Sequence, residues 1–325
     1  MTNHIVQNKP CIIFLNKGNP NHLKFAISEA RKYNPDLDII LLGDESNKVY
    51  DGVKHYSIDD YFESALDFKE NYYEHMSNNS YEFELICYQR WFVIDEFLKK
   101  HDYPFLCYVD SDILIKKNLL EYLETIPEED YYLIGHKDPQ GEYFNPSLNF
   151  YTDRTISDIT SFIKKSYVDE GILQKLRDKW AYHKENNVPG GICDMTQLKL
   201  FFNHEVGDSL KVHDIYDLGK NKYVPDGNVN IDSNFYDNAQ FKMHLGVKLI
   251  RNIDNKSYGY LQNGEKVALL SSHFQGRAKK LMKYYTDVNF NPSSIKNSLK
   301  IRLTWLVVRL ARNPFVFRIY ERIKG

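Results

Sequence analysis

Cysteine is scarce in this chain and scattered. Its four cysteines, Cys11, Cys87, Cys107 and Cys193, form no C-x-x-C pair. The sequence therefore offers no paired-thiolate motif, and three of the four lie in apolar segments, as buried reduced thiols of a cytosolic protein do. Long apolar runs are also missing. Residues 1–10 are polar, and the first apolar run, 11–15, is too short for a signal peptide or a membrane span, so neither secretion nor membrane crossing is expected. There is no internal repeat and no low-complexity block.

What remains is ordinary globular composition, 42% apolar and 26% charged over 325 residues. That length fits one large α/β domain with additions, or two domains. Apolar runs at 11–15 and 39–42 read as strands. A helix capped near Asn21 runs to Tyr33 and is ended by Asn34-Pro35. Apolar residues at helical spacing predict a helix over 83–100, a short one follows at 119–125, and 131–135 reads as a strand. Residues 155–186 look helical throughout, the chain after Pro189-Gly190-Gly191 is less regular, and 51–81 resists assignment. Short βαβ units in series predict an α/β fold with a mostly parallel, doubly wound sheet.

The feature richest in chemistry is Asp110-Ser111-Asp112. It closes the apolar run 105–109, which reads as a buried strand, and precedes a second apolar run, 113–115. Carboxylates at the C-terminal end of such a strand lie where open α/β sheets bind ligands. Alternate residues of an extended segment point the same way, so Asp110 and Asp112 could share one divalent cation. Asp36-Leu37-Asp38 has the same spacing but precedes its strand, at the wrong end for a site. Two further segments carry candidate groups. After the strand-like 267–270, His273 could ligate an ion such as Mn²⁺, Gly276 would allow close approach of backbone to a phosphate, and Lys279 or Arg277 would add charge to it. A lone His at a strand end is also commonly structural. In Pro189-Gly190-Gly191-Ile192-Cys193-Asp194, the acid either faces a ligand or simply caps the helix that follows.

The strand end Tyr108-Val109-Asp110-Ser111-Asp112, followed far downstream by His273-Phe274-Gln275-Gly276 and Lys279, resembles the nucleotide-sugar-dependent GT-A glycosyltransferases. The pattern is similar to that of the glycogenin and lipopolysaccharide galactosyltransferase group (family 8), and the matching elements span residues 11–285. The resemblance implies a GT-A (Rossmann-like) α/β fold with a single mostly parallel sheet flanked by helices. It implies that Asp110, Asp112 and His273 hold Mn²⁺ or Mg²⁺, and that Gly276 and Lys279 grip the donor diphosphate. Arg90 and Asp194 would contact the donor, while Asn16 and Asp44 would bind uridine and ribose. The implied activity is transfer of a hexose-type sugar from a UDP-sugar to a glycan or lipid-linked glycan in surface polysaccharide synthesis, with retention. The chain departs from the family where Lys280-Leu281 follows Lys279 and where Ser147 stands in place of a Gly. Alternatives are an inverting transferase with Asp194 as base, a metal-dependent nucleotidyltransferase or phosphoesterase, and a non-catalytic sugar-binding protein.

Charge divides the chain. Residues 292–325 hold eight Lys or Arg and one Glu, a net of +7, which leaves −9 on residues 1–291. Within the basic segment Ile295, Leu299, Leu303, Leu306 and Leu310 form an apolar stripe, flanked by Lys296 and Lys300 on one side and Arg302 and Arg309 on the other. The expected organisation is a transferase domain, 1–291, and a C-terminal amphipathic helical tail, 292–325. The tail would lie on an anionic membrane surface at the inner face of the plasma membrane, with Trp305 and Phe315 at the headgroup boundary. A helix packed on the protein's own core is the alternative. Nucleic acid is not an expected partner, because the acidic body would repel phosphates.

Overall fold

A computed structural model describes residues 10–126, 131–135, 144–206, 211–234, 237–254 and 256–311. The chain forms two compact units. One comprises Met1–Asn19, Pro35–Ser111 and Leu123–Ile215, the other Pro20–Asn34, Asp112–Tyr122 and Tyr216–Gly325.

The first unit is built on a seven-stranded sheet in the order Lys54–Ser57, Ile39–Gly43, Cys11–Leu15, Phe105–Val109, Leu148–Thr152, Tyr131–Gly135, Lys211–Asp214. Four of its six pairings are parallel, so the expected mostly parallel sheet is present. Its inner strands read as unbroken apolar runs because both faces are covered; all five residues of Phe105–Val109 are buried. Helix Tyr81–Lys100 starts where the Ser80 hydroxyl accepts from the Phe83 amide, and buries Leu85, Tyr88, Trp91 and Phe92 in the core. The helix expected over 155–186 is in fact two, Asp153–Ser166 and Glu170–Glu185. Asp169 separates them by accepting from the Ile172 amide, a cap that apolar spacing does not reveal. The segment that resisted assignment holds strand Lys54–Ser57 and helix Glu63–Asn71.

In the second unit, helix Leu23–Tyr33 packs on strand Ile113–Ile115. The helix begins after His22, a neighbour of Asn21 at the cap position, and makes no side-chain cap hydrogen bond. A five-stranded sheet joins Ile113–Ile115 antiparallel to Lys266–His273, which pairs antiparallel with Lys256–Tyr260 and parallel with Val224–Asp226. This mainly antiparallel sheet is not foreseen by local pattern. Gly276–Leu281 forms a 3-10 helix, and the helix of the basic segment runs Ile295–Ala311. Trp305, expected at a headgroup boundary, instead donates from Nε1 to the Leu245 carbonyl at 2.7 Å. Phe315 and the side chains of Arg309 and Leu310 lie outside what is described. No helix among the described residues is long and apolar enough to cross a membrane.

Candidate active site

The strands Cys11–Leu15, Ile39–Gly43 and Phe105–Val109 run parallel as neighbours, so Asn16, Asp44 and Asp110 all follow the C-terminal ends of their strands on one edge of the sheet. Asn16 and Asp44 meet at one turn. The Asn16 amide donates to the Gly18 carbonyl at 2.9 Å, and Asp44 accepts from the Gly18 amide at 2.5 Å. Asn47 ties the turn together from within, donating to the carbonyls of Asn16 and Gly18 at 2.7 and 2.9 Å. Hydrogen bonds from the Ser46 hydroxyl, and then from Gly18, hold the Asp44 carboxyl below its ordinary value. Asn47 was not singled out from the sequence, although its place three residues after the capping Asp44 is a capping-box signal.

Beside that edge Arg90 reaches from helix Tyr81–Lys100 to both acids of its own unit. It donates to Asp110 Oδ1 and to the Tyr108 hydroxyl, each at 3.0 Å, and forms an ion pair with Asp194. Tyr108 donates to the same Asp110 oxygen at 2.8 Å, as alternation along a strand allows. Burial works against the Arg90 charge, but Asp194, Tyr108 and Asp110 outweigh it and raise its pKa. Asp194 is the first residue of helix Asp194–Leu200, with Cys193 at the cap position. Its Oδ1 accepts from the Met195 amide at 2.9 Å, and its Oδ2 from Arg90 and from Trp91 Nε1, the latter at 3.2 Å. Asp194 is thus the buried counter-ion of Arg90, neither a simple cap nor a carboxylate open to a ligand. The backbone around Ser147 needs no glycine: its carbonyl accepts from the Asp110 amide at 2.8 Å, and its φ is not positive.

In the second unit strand register does the assembling. Ile113 pairs with His273 across the antiparallel ladder, and the Phe274 amide donates to the Asp112 carbonyl at 2.9 Å. Two residues 161 apart in sequence are thereby set side by side, with His273 Nε2 3.3 Å from Asp112 Oδ1. The imidazole is oriented from behind. Its Nδ1 lies 3.0 Å from the Gly227 carbonyl, which can only accept, so Nδ1 carries the proton. A neutral His273 therefore turns the Nε2 lone pair towards a carboxylate oxygen. Two acceptors facing each other repel unless a cation lies between them or the ring is protonated. An imidazole fixed through its far nitrogen is also the arrangement typical of metal-binding histidines. Lys279 completes this half, its Nζ 3.1 Å from Asp112 Oδ2. Burial would raise the Asp112 carboxyl, but His273 and Lys279 prevail and hold it well below the carboxylate range.

Only Ser111 separates Asp110 from Asp112, so chain geometry alone keeps their Cα atoms within about 7 Å. Within the second unit Asp112 and His273 could together hold a metal ion, and Asp110 stands two residues from Asp112 along the chain. Two carboxylates and one imidazole fit a divalent ion of the Mn²⁺ or Mg²⁺ kind. Gly276 has φ +56° with open space where a Cβ would stand, so its glycine serves backbone conformation.

Solved structures of glycosyltransferases are similar to this chain. Mouse xyloside xylosyltransferase 1, in its apo form, is 12% identical with a TM-score of 0.43, over 68% of this chain and 87% of that one. The galactosyltransferase LgtC, in complex with donor and acceptor sugar analogues, is 17% identical with a TM-score of 0.35, over 49% of this chain and 65% of its own. A glycosyltransferase involved in glycosylation of the major capsid of PBCV-1 is 14% identical with a TM-score of 0.38, over 84% and 99%. This chain therefore spans just under two thirds of LgtC. No family profile and no curated protein matches the sequence.

One residue of the site has no signal in the sequence. His22, before helix Leu23–Tyr33, is close enough to Asp112 and Lys279 to feel both charges. Burial lowers its pKa first and Lys279 adds to that, while Asp112 pulls the other way.

Proposed function

We propose that this protein is a metal-dependent glycosyltransferase that moves a hexose-type sugar from a UDP-sugar to a glycan or lipid-linked glycan acceptor in surface polysaccharide synthesis. The observation that carries this reading is His273, held through Nδ1 by the Gly227 carbonyl and facing Asp112 with Lys279 alongside. Acid, imidazole and ammonium together match a metal–diphosphate pair: acid and imidazole for the cation, ammonium for the phosphate oxygens. Asp110, Asp112 and His273 would hold Mn²⁺ or Mg²⁺, which supplies Lewis-acid charge to the leaving diphosphate. Lys279 then donates to a β-phosphate oxygen as negative charge develops there, an interaction stronger in the transition state than before it. Backbone at Gly276 approaches the same group, and Arg277 adds charge.

Arg90, already neutralised by Asp110 and Asp194, acts as an oriented donor on the sugar side and sets the Asp110 carboxylate. Asp194 supports retention over inversion, because both of its oxygens are engaged and it is 3% exposed, a poor position for a base on an acceptor hydroxyl. The turn of Asn16, Gly18 and Asp44 is the proposed uridine and ribose subsite. The basic segment 292–325 is proposed to hold the transferase domain, 1–291, peripherally at the inner face of the plasma membrane.

Calorimetric titration of UDP with and without Mn²⁺, into wild type and Asp112→Asn, tests the donor site. Metal-dependent binding in the wild type that disappears in the variant is the expected result. Equal binding with and without metal in both proteins would remove the metal site from the reading.

A further inference from the structure

The helix Ile295–Ala311 is attached to its own unit by the face opposite its apolar stripe. Ile301 is fully buried, the Asn297 amide donates to the Asn291 carbonyl at 3.1 Å, and His244 meets the Ser298 hydroxyl at 2.7 Å. Trp305 is bonded to the Leu245 carbonyl and lies under the Arg277 guanidinium, 5.3 Å from the ring centre. The apolar stripe is left facing outward. Ile295 is 92% exposed, Leu299 57%, Leu303 52%, Leu306 51% and Val307 64%. At 100° per residue Ile295, Leu299, Leu303 and Leu306 fall within an arc of about 80°, with Val307 about 40° beyond it. Lys296 and Lys300 lie along one margin of the arc and Arg302 along the other.

A helix on a water-exposed surface normally turns its apolar stripe inward. Here the inward face is half polar and held by hydrogen bonds, while a continuous apolar strip bordered by cations is left out. We infer that this outer face is a docking surface for an anionic lipid bilayer, with Leu299, Leu303 and Leu306 entering the acyl boundary and Lys296, Lys300 and Arg302 meeting lipid phosphates. The inference deepens the membrane-surface part of the proposed function by naming the face and its chemistry. Charge decides the occupant. A second copy of the chain would set these cations against their own equivalents. Residues 312–325, with four Lys or Arg and one Glu, are of the same sign. Anionic lipid is complementary to both the stripe and its margins. The helix also contacts the turn Gly276–Leu281, so docking here would bring the Lys279 turn close to the headgroups of a lipid-linked acceptor.

The test is co-sedimentation of the full-length protein with vesicles of phosphatidylcholine, with and without phosphatidylglycerol. Three proteins are compared: wild type, Leu299→Glu/Leu303→Glu, and Lys296→Ser/Lys300→Ser/Arg302→Ser. Circular dichroism and Mn²⁺-dependent UDP binding are followed in parallel as checks on folding and on the donor site. Wild type is expected to sediment with the anionic vesicles only. Each variant should lose at least roughly tenfold in vesicle affinity with UDP binding retained. If wild type ignores anionic vesicles, the membrane reading and this inference fall together. If wild type binds and the Leu299→Glu/Leu303→Glu protein binds equally, the membrane reading stands and this face is wrong. A wild-type dimer that the same double substitution dissolves, by light scattering, would give the face to a second copy and overturn the inference.

Discussion

Asp112 has two nitrogen partners before any metal arrives, and the two differ in kind. His273 is buried and fixed by a backbone carbonyl, whereas Lys279 is 37% exposed and ends a flexible stem. Lys279 can therefore leave Asp112 for a phosphate at little cost, since a half-exposed ion pair is worth about 1 kcal/mol or less. While it stays, it neutralises the carboxylate that a divalent ion needs and repels the ion itself. Lys279→Met should bind Mn²⁺ alone several-fold more tightly than wild type. It should also lose roughly tenfold or more in UDP affinity with Mn²⁺ present, the scale of one charge-assisted hydrogen bond. Titration of Mn²⁺ by electron paramagnetic resonance separates the two effects, and a parallel fall in both affinities would contradict the exchange. The depressed Asp112 carboxyl also fixes a pH signature. Its stabilising contribution is complete above the ordinary value of 3.8 and is lost as pH falls below it towards the folded-state value. The stability gap between wild type and Asp112→Asn should accordingly close as pH falls below 3.8, as measured by urea unfolding across acid pH. At Gly43 the constraint is steric. A Cβ there would come 2.1 Å from the Asn47 amide oxygen. Gly43→Ala must expel Asn47 from the Asn16–Gly18 turn, at a cost of about 2–3 kcal/mol and with weakened UDP binding. An unchanged urea midpoint would show that the turn can relax.

Between residues and site stand the strands, and here the sequence was legible only in part. The runs 11–15, 39–42 and 105–109 announced themselves because a strand covered on both faces must be apolar throughout. Asp110 and Asp112 could be singled out because they follow such a run. Pairing of Ile113–Ile115 with Lys266–His273 left no local trace, since register across 160 residues is set by the tertiary fold. The same holds for Gly227, which acts through its carbonyl and so carries no residue signature. Val224–Asp226 delivers that carbonyl by pairing with Lys266–His273, and a fully buried ion pair, Lys248 to Asp226 at 2.5 Å, anchors it. Breaking a buried pair leaves an uncompensated charge, so Lys248→Met should destabilise the protein by about 3–5 kcal/mol. Lys248→Met/Asp226→Leu should recover much of that loss in thermal unfolding. Recovery of stability without recovery of Mn²⁺ affinity would assign the strand a part in orienting His273. A double variant no more stable than the single one would refute the pair's anchoring role.

The whole chain is nearly neutral only because a −9 portion and a +7 portion offset each other. Added salt screens surface charges such as Lys296, Lys300 and Arg302, while the buried Asp112 and His273 are screened far less. The two proposed activities should therefore respond differently to ionic strength. Association with phosphatidylglycerol vesicles should weaken steeply as salt rises from about 0.05 to 0.5 M, where the Debye length falls from roughly 14 to 4 Å. It should not vanish, because burial of Leu299, Leu303 and Leu306 is indifferent to screening and gains from salts excluded from apolar surface. Mn²⁺-dependent UDP binding should lose much less over the same range. The measurement is vesicle co-sedimentation and UDP calorimetry on one preparation at both ionic strengths. Complete loss of vesicle binding at the higher salt would reduce the C-terminal helix to a purely electrostatic tether and leave its exposed apolar face without a role. Salt-independent binding would imply that Lys296, Lys300 and Arg302 do not meet the lipid phosphates. Only a residual, salt-resistant component that Leu299→Glu/Leu303→Glu removes is consistent with one face using both kinds of contact.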